Sequence, residues 1–460
     1  MNRHDVHIIR KGGMNLVLDV NSGSLHLFDS RSTQVLEALL DGKPAGDFRD
    51  EADLEALQEI LSLRDAGRLG TPDDGALPRN INYSLKSLCL NVAHVCNLAC
   101  PYCFASGGNY KGAEAIMTPE VGKRAIDRLL ADSHGRKLVE VDFFGGEPLL
   151  NLPLIQELIP YGEEKAWEAG KAIKWSMTTN GLLLDEETGR YLAEHQVGTV
   201  LSIDGRKEVH DANRYTKSGE GSYDRVVRNY ISFKDISEDY VARGTYTGKN
   251  LDFFEDVDAL RDLGFRHLSM EPVIGGDITW EDLPAIRAAY EELGRRYLEW
   301  YREGDPLDFF HFNIQLQGGP CIYKRITACG AGTEYLAITP SGDIYPCHQL
   351  IENPEYRLGN IMEEGIREDI SRDFQEASIY SKDSCRSCWA RFHCSGGCHA
   401  NNIHYGEGLL SPYALSCEIT KIRLEEALYV QAVKLLEGLE EQNPATSDFI
   451  TKNKIREMLK

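Results

Sequence analysis

Short apolar runs alternate with amphipathic stretches through the middle of the chain, from about residue 84 to residue 300. The apolar runs predict strands at residues 85–92, 138–144, 173–178, 199–203, 241–246 and 266–270. The stretches between them have helical periodicity, and one opens with Thr118 as N-cap and Pro119 at the first helical position. This alternation predicts a parallel sheet with right-handed crossovers, closed or partly closed as a barrel. Functional residues of such folds gather at the carboxyl ends of the strands.

The first 75 residues predict a separate small domain. Apolar runs at residues 15–19 and 24–28 flank a turn that contains Asn21 and Gly23, which suits a β-hairpin. Two helical patterns follow, closed in the first case by Asp41 and Gly42. We therefore expect a winged-helix-like domain at residues 1–75 and a linker at residues 76–84.

The composition and the periodicity of the sequence change again in the carboxyl-terminal part of the chain. After a barrel at residues 85–310, residues 311–420 are irregular and rich in Cys, Gly and Pro, as expected where metal ligation replaces a hydrophobic core. A long helix is predicted at residues 418–437, and most of it lies in a carboxyl-terminal helical tail assigned to residues 421–460.

Charge and hydropathy narrow the function classes. The net charge of −22 argues against a nucleic-acid-binding surface. The sequence has no apolar run of about 18 residues and no signal-peptide core, so we expect a cytoplasmic protein without a membrane partner. That compartment is reducing, and the 12 cysteines therefore point to metal binding rather than to disulfides.

The first cysteine cluster is a Cys-x3-Cys-x2-Cys loop directly after the first strand of the predicted barrel. Cys96, Cys100 and Cys103 can hold three corners of a cube-shaped [4Fe–4S] cluster and leave one iron open. Structural zinc with His94 as a fourth ligand is the alternative, although zinc sites usually take four ligands in two pairs. Cys89, within the strand, is interpreted as a small buried residue.

This loop resembles the signature of the radical S-adenosylmethionine (SAM) superfamily, in which an aromatic residue, here Tyr102, precedes the last cysteine. The resemblance implies that the open iron chelates SAM and that one electron cleaves SAM to a 5′-deoxyadenosyl radical. It also implies that Glu147 accepts from the SAM amino group and that Arg214 pairs with the SAM carboxylate. A turn, a helix cap or a surface ion pair is the alternative for these motifs, and for Asp204 and His210 the two readings are equally open. The SAM-binding residues implied by the resemblance are Tyr102, Gly145, Gly146, Glu147, Ser176, Thr178, Asn180, Ser202, Asp204 and Arg214.

A second cysteine constellation lies downstream, and seven cysteines exceed one four-coordinate site. Zinc is again the alternative, because Cys-x2-Cys is a common zinc element. The complete pattern resembles the SPASM extension of peptide- and protein-modifying radical SAM enzymes, which implies two auxiliary [4Fe–4S] clusters and three clusters in total. By that resemblance one auxiliary cluster takes Cys329, Cys347 and Cys398, with Cys321 as a possible fourth ligand, and the other takes Cys385, Cys388, Cys394 and Cys417.

The predicted fold class is thus α/β: a partial (β/α)6 TIM-like barrel with a winged-helix-like peptide recognition domain and a SPASM domain. This combination resembles thioether-forming maturases of the sactipeptide and ranthipeptide type, above all those of six-cysteines-in-forty-five-residues (SCIFF) peptides. The resemblance implies a Cys-containing precursor peptide with a leader, and an electron donor such as flavodoxin or ferredoxin. Another SPASM reaction, formylglycine formation or carbon–carbon crosslinking, is the runner-up. From a different class, a non-catalytic iron–sulfur or zinc scaffold for peptide binding or electron transfer is also open.

Overall fold

The computed structural model describes residues 1–77, 81–316, 326–363 and 365–442. Its amino-terminal part is a three-stranded antiparallel sheet in the order β1-β2-β3, followed by two helices. These elements are β1 (Val6–Lys11), β2 (Met14–Asp19), β3 (Leu25–Phe28), α1 (Ser30–Leu40) and α2 (Glu51–Asp65). Asp29 and Asp50 cap the helices by accepting from backbone N–H groups of the first turns.

The predicted hairpin is confirmed as β2 and β3, but β1 was missed. Val6 and Ile9 are the buried residues of β1, and a spacing of three does not show the alternation that marks a strand in sequence. Ile9, Leu16 and Leu18 lie on the opposite face of this small sheet from Val6, and they pack on the long carboxyl-terminal helix described below.

Six parallel strands, paired in sequential order, form the centre of the molecule. The strands are β4 (Ser87–Ala93), β5 (Leu138–Gly145), β6 (Ala172–Thr179), β7 (Gly198–Ser202), β8 (Tyr240–Tyr246) and β9 (His267–Pro272). The helices are α3 (Pro119–Asp132), α4 (Leu152–Glu168), α5 (Glu186–Glu194), α6 (Lys207–Asn213), α7 (Tyr223–Lys234), α8 (Phe253–Asp262) and α9 (Leu283–Arg302). All six predicted strands are confirmed, with ends that differ by at most two residues.

The sheet is a partial barrel because its outer strands pair with further strands rather than with each other. The short β10 (Asp308–Phe309) continues the sheet beside β9. On the other side β11 (Tyr335–Ile338) pairs in parallel with β4, and β12 (Asp343–Tyr345) and β13 (Gly359–Asn360) follow antiparallel. The cysteine-rich part is therefore joined to the barrel by main-chain hydrogen bonds, which its irregular sequence did not predict.

Short helices and one long helix complete the chain. They are α10 (Glu368–Glu376), α11 (Asp383–Arg386), α12 (Arg391–Cys394), α13 (His399–Tyr405) and α14 (Ala414–Gln442). Leu428 and Ala432 of α14 pack against Ile9, Leu16 and Leu18 of the amino-terminal sheet. In the part of the chain that the structure describes, no helix carries a stretch that is long and apolar enough to span a bilayer.

Buried and accessible side chains alternate along β5, β6, β7 and β8, whereas β4 is buried on both faces over most of its length. In β5, Val139, Val141 and Phe143 are buried in the main hydrophobic core, whereas Asp142 and Phe144 are only half buried. The same alternation in β8 leaves Arg243 exposed between buried neighbours. The concave face of the sheet is therefore polar and accessible, and the loops at its carboxyl edge border it.

Candidate active site and metal centres

The loop of Cys96, Cys100 and Cys103 follows β4 directly and lies at the carboxyl edge of the sheet. All three are free cysteines. The Leu98 N–H donates to Cys96 Sγ at 3.4 Å, and the Cys103 N–H donates to Cys100 O at 3.1 Å. The pKa of Cys96 is raised to about 12 and that of Cys100 to about 11, chiefly by burial and in smaller part by nearby negative groups, including the neighbouring thiolates. A bound metal removes such protons, so three crowded, buried thiols fit a metal cluster.

Gly145 and Gly146 shape this loop by close backbone contact. A Cβ at Gly145, whose φ is +137°, would lie 2.3 Å from Ala93 O, and a Cβ at Gly146 would lie 2.2 Å from Val95 O. The Gly146 N–H also donates to Ala93 O at 2.7 Å. The two glycines therefore allow the backbone after β5 to approach the backbone of the cysteine loop closely.

Glu147 lies fully buried behind the cysteine loop, and its carboxylate accepts three hydrogen bonds from the protein. The donors are the Asn180 N–H at 2.8 Å, the Thr179 hydroxyl at 2.8 Å and the Leu149 N–H at 3.1 Å. Burial raises the pKa of Glu147 to about 7, against these donors. Asn180 in turn donates its side-chain N–H to Cys96 Sγ at 3.6 Å. Glu147 thus positions Asn180, which in turn contacts the cysteine loop at Cys96. This supporting role was not part of the expectation, which was a contact between Glu147 and SAM.

Tyr102, Asp204 and Arg214 form a buried network under the cysteine loop. Asp204 accepts from the Tyr102 hydroxyl at 2.6 Å and from the Thr245 N–H at 2.9 Å, and it pairs with Arg214 at 3.1 Å. The Arg214 guanidinium also lies 5.5 Å from the centre of the Tyr102 ring. Although burial disfavours its charge, Asp204 raises the pKa of Arg214 above the ordinary value. Arg214 Nε is buried and has no hydrogen-bond partner among the described residues, so part of the guanidinium is available to a ligand.

Two buried histidines flank this region. Burial lowers the pKa of both His94 and His210 to about 4, so both are neutral near pH 7. His210 lies between Asp204 and Ser222, where Nδ1 accepts from the Asp204 N–H at 3.4 Å and Nε2 lies 2.9 Å from Ser222 Oγ. Within the described residues His94 Nε2 has no hydrogen-bond partner, and its ring packs on Tyr110.

The remaining predicted SAM-binding residues lie on the concave side of the sheet. Thr178 is the penultimate residue of β6 and Ser202 is the last residue of β7, and both are half buried. Ser176 lies two residues before Thr178 in β6, on the same face, and its hydroxyl donates to Asp142 at 2.9 Å. Burial raises the pKa of Asp142 to about 6. Sequence reasoning missed Asp142, although it alternates in phase with Phe144 and so was detectable as a concave-face residue.

The structure brings Cys329, Cys347 and Cys398 together in the carboxyl-terminal part. Burial raises the pKa of Cys347 far above the ordinary thiol value, and the thiolates of Cys398 and Cys329 add to this. Cys347 follows β12 and Cys398 precedes α13, so the set is assembled from distant segments. The fourth ligand suggested for this set, Cys321, lies outside the described residues.

The other four cysteines form a separate set. Burial raises the pKa of Cys417 to about 12, and the thiolates of Cys394, Cys385 and Cys388 act in the same direction. Two short helices and the start of the long helix present three of these thiols: Cys385 lies in α11, Cys394 ends α12 and Cys417 lies in the first turn of α14. The grouping is the one that the sequence resemblance implied.

The chemistry of the cysteine sets fits iron–sulfur clusters. A cubane cluster binds each thiolate to a different iron, whereas zinc holds its thiolates about 2.3 Å from a single centre. Separate groups of free cysteines supply the thiolates that [4Fe–4S] clusters bind.

Two family matches agree with this geometry. Residues 90–289 match the Radical SAM superfamily, and residues 329–389 match SPASM, an iron–sulfur cluster-binding domain. The chain thus carries a radical SAM domain followed by a SPASM domain. Such domains use SAM and more than one [4Fe–4S] cluster.

Similar proteins narrow the class. The chain is 26 % identical over 342 residues to the cysteine-type anaerobic sulfatase-maturating enzyme of Clostridium perfringens, covering 66 % of this chain and 85 % of that protein. It is 29 % identical over 344 residues to the mycofactocin maturase MftC of Mycolicibacterium smegmatis, covering 71 % and 81 %. On these matches the chain is a radical SAM/SPASM enzyme of the kind that modifies peptides or proteins.

Solved structures show the same fold. Native anSMEcpe with bound AdoMet has a TM-score of 0.62 at 22 % identity, over 75 % of this chain and 99 % of that chain. Streptococcus suis SuiB bound to precursor peptide SuiA has a TM-score of 0.50 at 17 % identity, over 89 % of this chain and 98 % of that chain.

Proposed function

We propose that this enzyme installs thioether crosslinks, from Cys sulfur to carbon, in a ribosomally synthesised precursor peptide. The observation that carries the proposal is that one chain contains three separate sets of free cysteines. In the same chain, the amino-terminal sheet packs on α14, which is the helix that holds Cys417. Cys96, Cys100 and Cys103 are assigned to the SAM-cleaving cluster. The other seven cysteines are assigned to two auxiliary clusters that assist thiolate binding or electron removal.

The chemistry of the crosslink requires one cluster that cleaves SAM and a separate acceptor for an electron. A bound [4Fe–4S] cluster supplies the electron that cleaves SAM to methionine and a 5′-deoxyadenosyl radical. Closing a C–S bond replaces one C–H bond and one S–H bond of the peptide. One hydrogen atom goes to the 5′-deoxyadenosyl radical, one proton goes to solvent, and one electron needs an acceptor. An auxiliary iron–sulfur cluster is an acceptor of the right chemical class.

The residues around the cysteine loop prepare it for SAM. Arg214 offers an unpartnered Nε–H beside Cys100, and a guanidinium suits the SAM carboxylate. Thr178 and Ser202 present half-buried polar side chains at the ends of two neighbouring strands, where they border the concave face. We assign the remaining SAM contacts to Tyr102, Asn180 and Asp204 through the geometry described above.

Residues 1–75 are assigned to leader recognition. Among the described residues β3 pairs only with β2, so one of its edges is open to an added strand. The helix α2 carries an open depression of about 390 Å³, lined in part by Leu54, Leu57 and Leu61. The contact of 2.8 Å between His26 Nε2 and Arg68 O joins β3 to the turn that follows α2. A leader could thus add to β3 and pack on α2.

Another SPASM reaction is the second candidate, because relatives include sulfatase-maturating enzymes and the radical SAM cyclopropyl synthase TigE. The likeness to SuiB supports a precursor peptide as substrate, since it extends over 89 % of this chain and that structure is bound to the precursor peptide SuiA. Flavodoxin or ferredoxin is the proposed electron donor.

Leader binding can be tested with one substitution on α2. Leu54 is 44 % exposed in the depression, and Leu54→Asp places a charge where an apolar leader residue would pack. We expect at least a tenfold loss of affinity for a fluorescent leader peptide. Leu138→Asp is the matched control, because Leu138 is 53 % exposed at the amino end of β5. Equal affinities for both variants would contradict leader binding at α2.

A further inference from the structure

Lys382 is a lysine whose side chain is completely buried in the cysteine-rich part. Its Nζ donates to Gly396 O at 2.8 Å and lies 3.4 Å from His399 Nδ1. Gly396 belongs to the short loop between Cys394 and Cys398, and these two cysteines belong to different sets. The ammonium is therefore anchored on the segment that joins the two proposed auxiliary clusters.

The loop is shaped to receive this ammonium. Gly396 has a φ of +87°, and a Cβ there would lie 3.0 Å from Lys382 Nζ. A side chain at this position would be strained and would crowd the amine. The glycine thus allows the closest approach of the ammonium to the loop backbone.

Among the residues that the structure describes, no carboxylate forms an ion pair with Lys382. Transferring an ammonium from water into a protein interior is costly unless an opposite charge compensates it. Burial lowers the pKa of Lys382, and the groups that oppose this are thiolates of both sets rather than carboxylates: Cys385, Cys394, Cys329 and Cys398. Two of these thiolates belong to each set, so the cation lies between the two.

We infer that Lys382 is a positioning residue that raises the reduction potentials of both auxiliary clusters by holding a buried positive charge between them. Each reduced cluster is one charge more negative than its oxidised form, and a nearby cation in a low-dielectric interior stabilises the reduced form. The clusters thereby become better acceptors for the single electron released when the C–S bond closes. The use of that electron rests on the proposed function, whereas the electrostatic effect does not.

The test is a redox titration of the full-length, iron-reconstituted enzyme, followed by electron paramagnetic resonance. Lys382→Gln keeps an N–H donor for Gly396 O and removes the charge, and Lys382→Met removes both. For both variants we expect at least a tenfold shift of the reduction equilibrium towards the oxidised auxiliary clusters, about 59 mV for a one-electron couple. Lys382→Arg keeps the charge and is expected to keep the wild-type potentials. The cluster whose signal changes when SAM is added serves as an internal reference and is expected to be unaffected.

A second lysine provides the matched control. Lys421 on α14 is near Cys388 and Cys417, but its side chain is 30 % exposed and pairs with Glu418 at 2.7 Å. Solvent and the carboxylate screen its charge, so Lys421→Met should shift the potentials much less than Lys382→Met.

The outcomes separate charge from shape. Unchanged auxiliary potentials in Lys382→Gln, or an equal shift in Lys421→Met, would overturn the inference. If the neutral variants incorporate less iron, retention of iron by Lys382→Arg supports the role of charge, and equal loss in Lys382→Arg overturns it. Failure to crosslink a peptide with normal potential shifts would count against the proposed function alone.

Discussion

The substitution Asp204→Asn tests the network that supports the cysteine loop. Asp204 is fully buried and accepts from the Tyr102 hydroxyl and the Thr245 N–H while it pairs with Arg214. These partners lie in the cysteine loop, in β8 and after α6, so one carboxylate connects three segments. Asparagine has nearly the same shape, and the change therefore removes charge and acceptor capacity rather than volume.

The cost follows from the contacts. The single carbonyl oxygen of asparagine cannot serve all three donors, and its amide N–H points towards one of them. A buried donor without a partner costs about 1–3 kcal/mol. Arg214 is only 11 % exposed and loses its counter-charge, and breaking a buried pair in this way costs about 3–5 kcal/mol. Because the two effects overlap, we expect about 3–5 kcal/mol in total, roughly a hundredfold to a few thousandfold in the local opening equilibrium.

Hydrogen exchange of the full chain, read by mass spectrometry, measures this opening at β7 and β8. We expect faster exchange there and a lower yield of 5′-deoxyadenosine from SAM, because Tyr102 loses its anchor. Asp305→Asn is the control, since Asp305 pairs with Arg261 and Arg266 but is 45 % exposed, and such pairs contribute about 0–1 kcal/mol. Exchange in Asp204→Asn that matches the Asp305→Asn control would refute the reasoning.

Three further substitutions test other parts of the account. Gly146→Ala would place a Cβ 2.2 Å from Val95 O, and we expect loss of the SAM-responsive resonance signal while the auxiliary signals remain. Arg391→Met removes the buried guanidinium that hydrogen-bonds Asn21, and we expect faster proteolysis of the amino-terminal sheet. Glu426 is buried and its pKa is raised to about 7, mainly by burial, so its ionisation disfavours folding as pH rises from about 4.5 to 7. Wild-type stability should therefore fall over that range by up to about 3 kcal/mol relative to Glu426→Gln, in denaturant titrations of the protein without its clusters.

Each of these expectations has a contrary result. Normal SAM-responsive signals in the Gly146→Ala variant would show that the cysteine loop tolerates a side chain at this contact. An unchanged proteolysis rate in Arg391→Met would show that apolar packing alone holds the amino-terminal sheet. Parallel stability curves for wild-type and Glu426→Gln protein between pH 5 and pH 8 would show that Glu426 does not titrate in this range.

The strands of the barrel were predictable because their pattern is strong and local. Apolar runs such as residues 138–144 are bounded by turns, and the observed strand, Leu138–Gly145, differs by one residue. The pairing of β11 with β4 was not predictable, since Tyr335–Ile338 is a four-residue strand in irregular sequence and its partner lies about 250 residues earlier. Short strands are specified by what they pair with rather than by their own periodicity.

In the candidate site, as in the fold, the features with a local sequence pattern were predictable and the contacts between distant residues were not. Cysteine spacing identified the loop of Cys96, Cys100 and Cys103, because ligand spacing is a local property of the sequence. The division of the seven later cysteines into two sets was implied only by the resemblance to the SPASM extension, since Cys329, Cys347 and Cys398 come from distant segments. The contacts of Glu147 and Arg214 were not predictable, since Asp204 and Thr179 meet them only after the barrel has folded. Lys382 was missed because a lone lysine in sequence is normally a surface residue, and only burial between two cysteine sets distinguishes it.

The most direct test of the central claim is the mass of the peptide product. The reconstituted, reduced enzyme is incubated anaerobically with SAM and a Cys-containing precursor peptide encoded beside its gene, and the product is weighed before and after thiol alkylation. The account predicts a loss of two hydrogens per crosslink, one fewer alkylatable thiol for each, and formation of 5′-deoxyadenosine. A modified product in which every thiol remains free would contradict it.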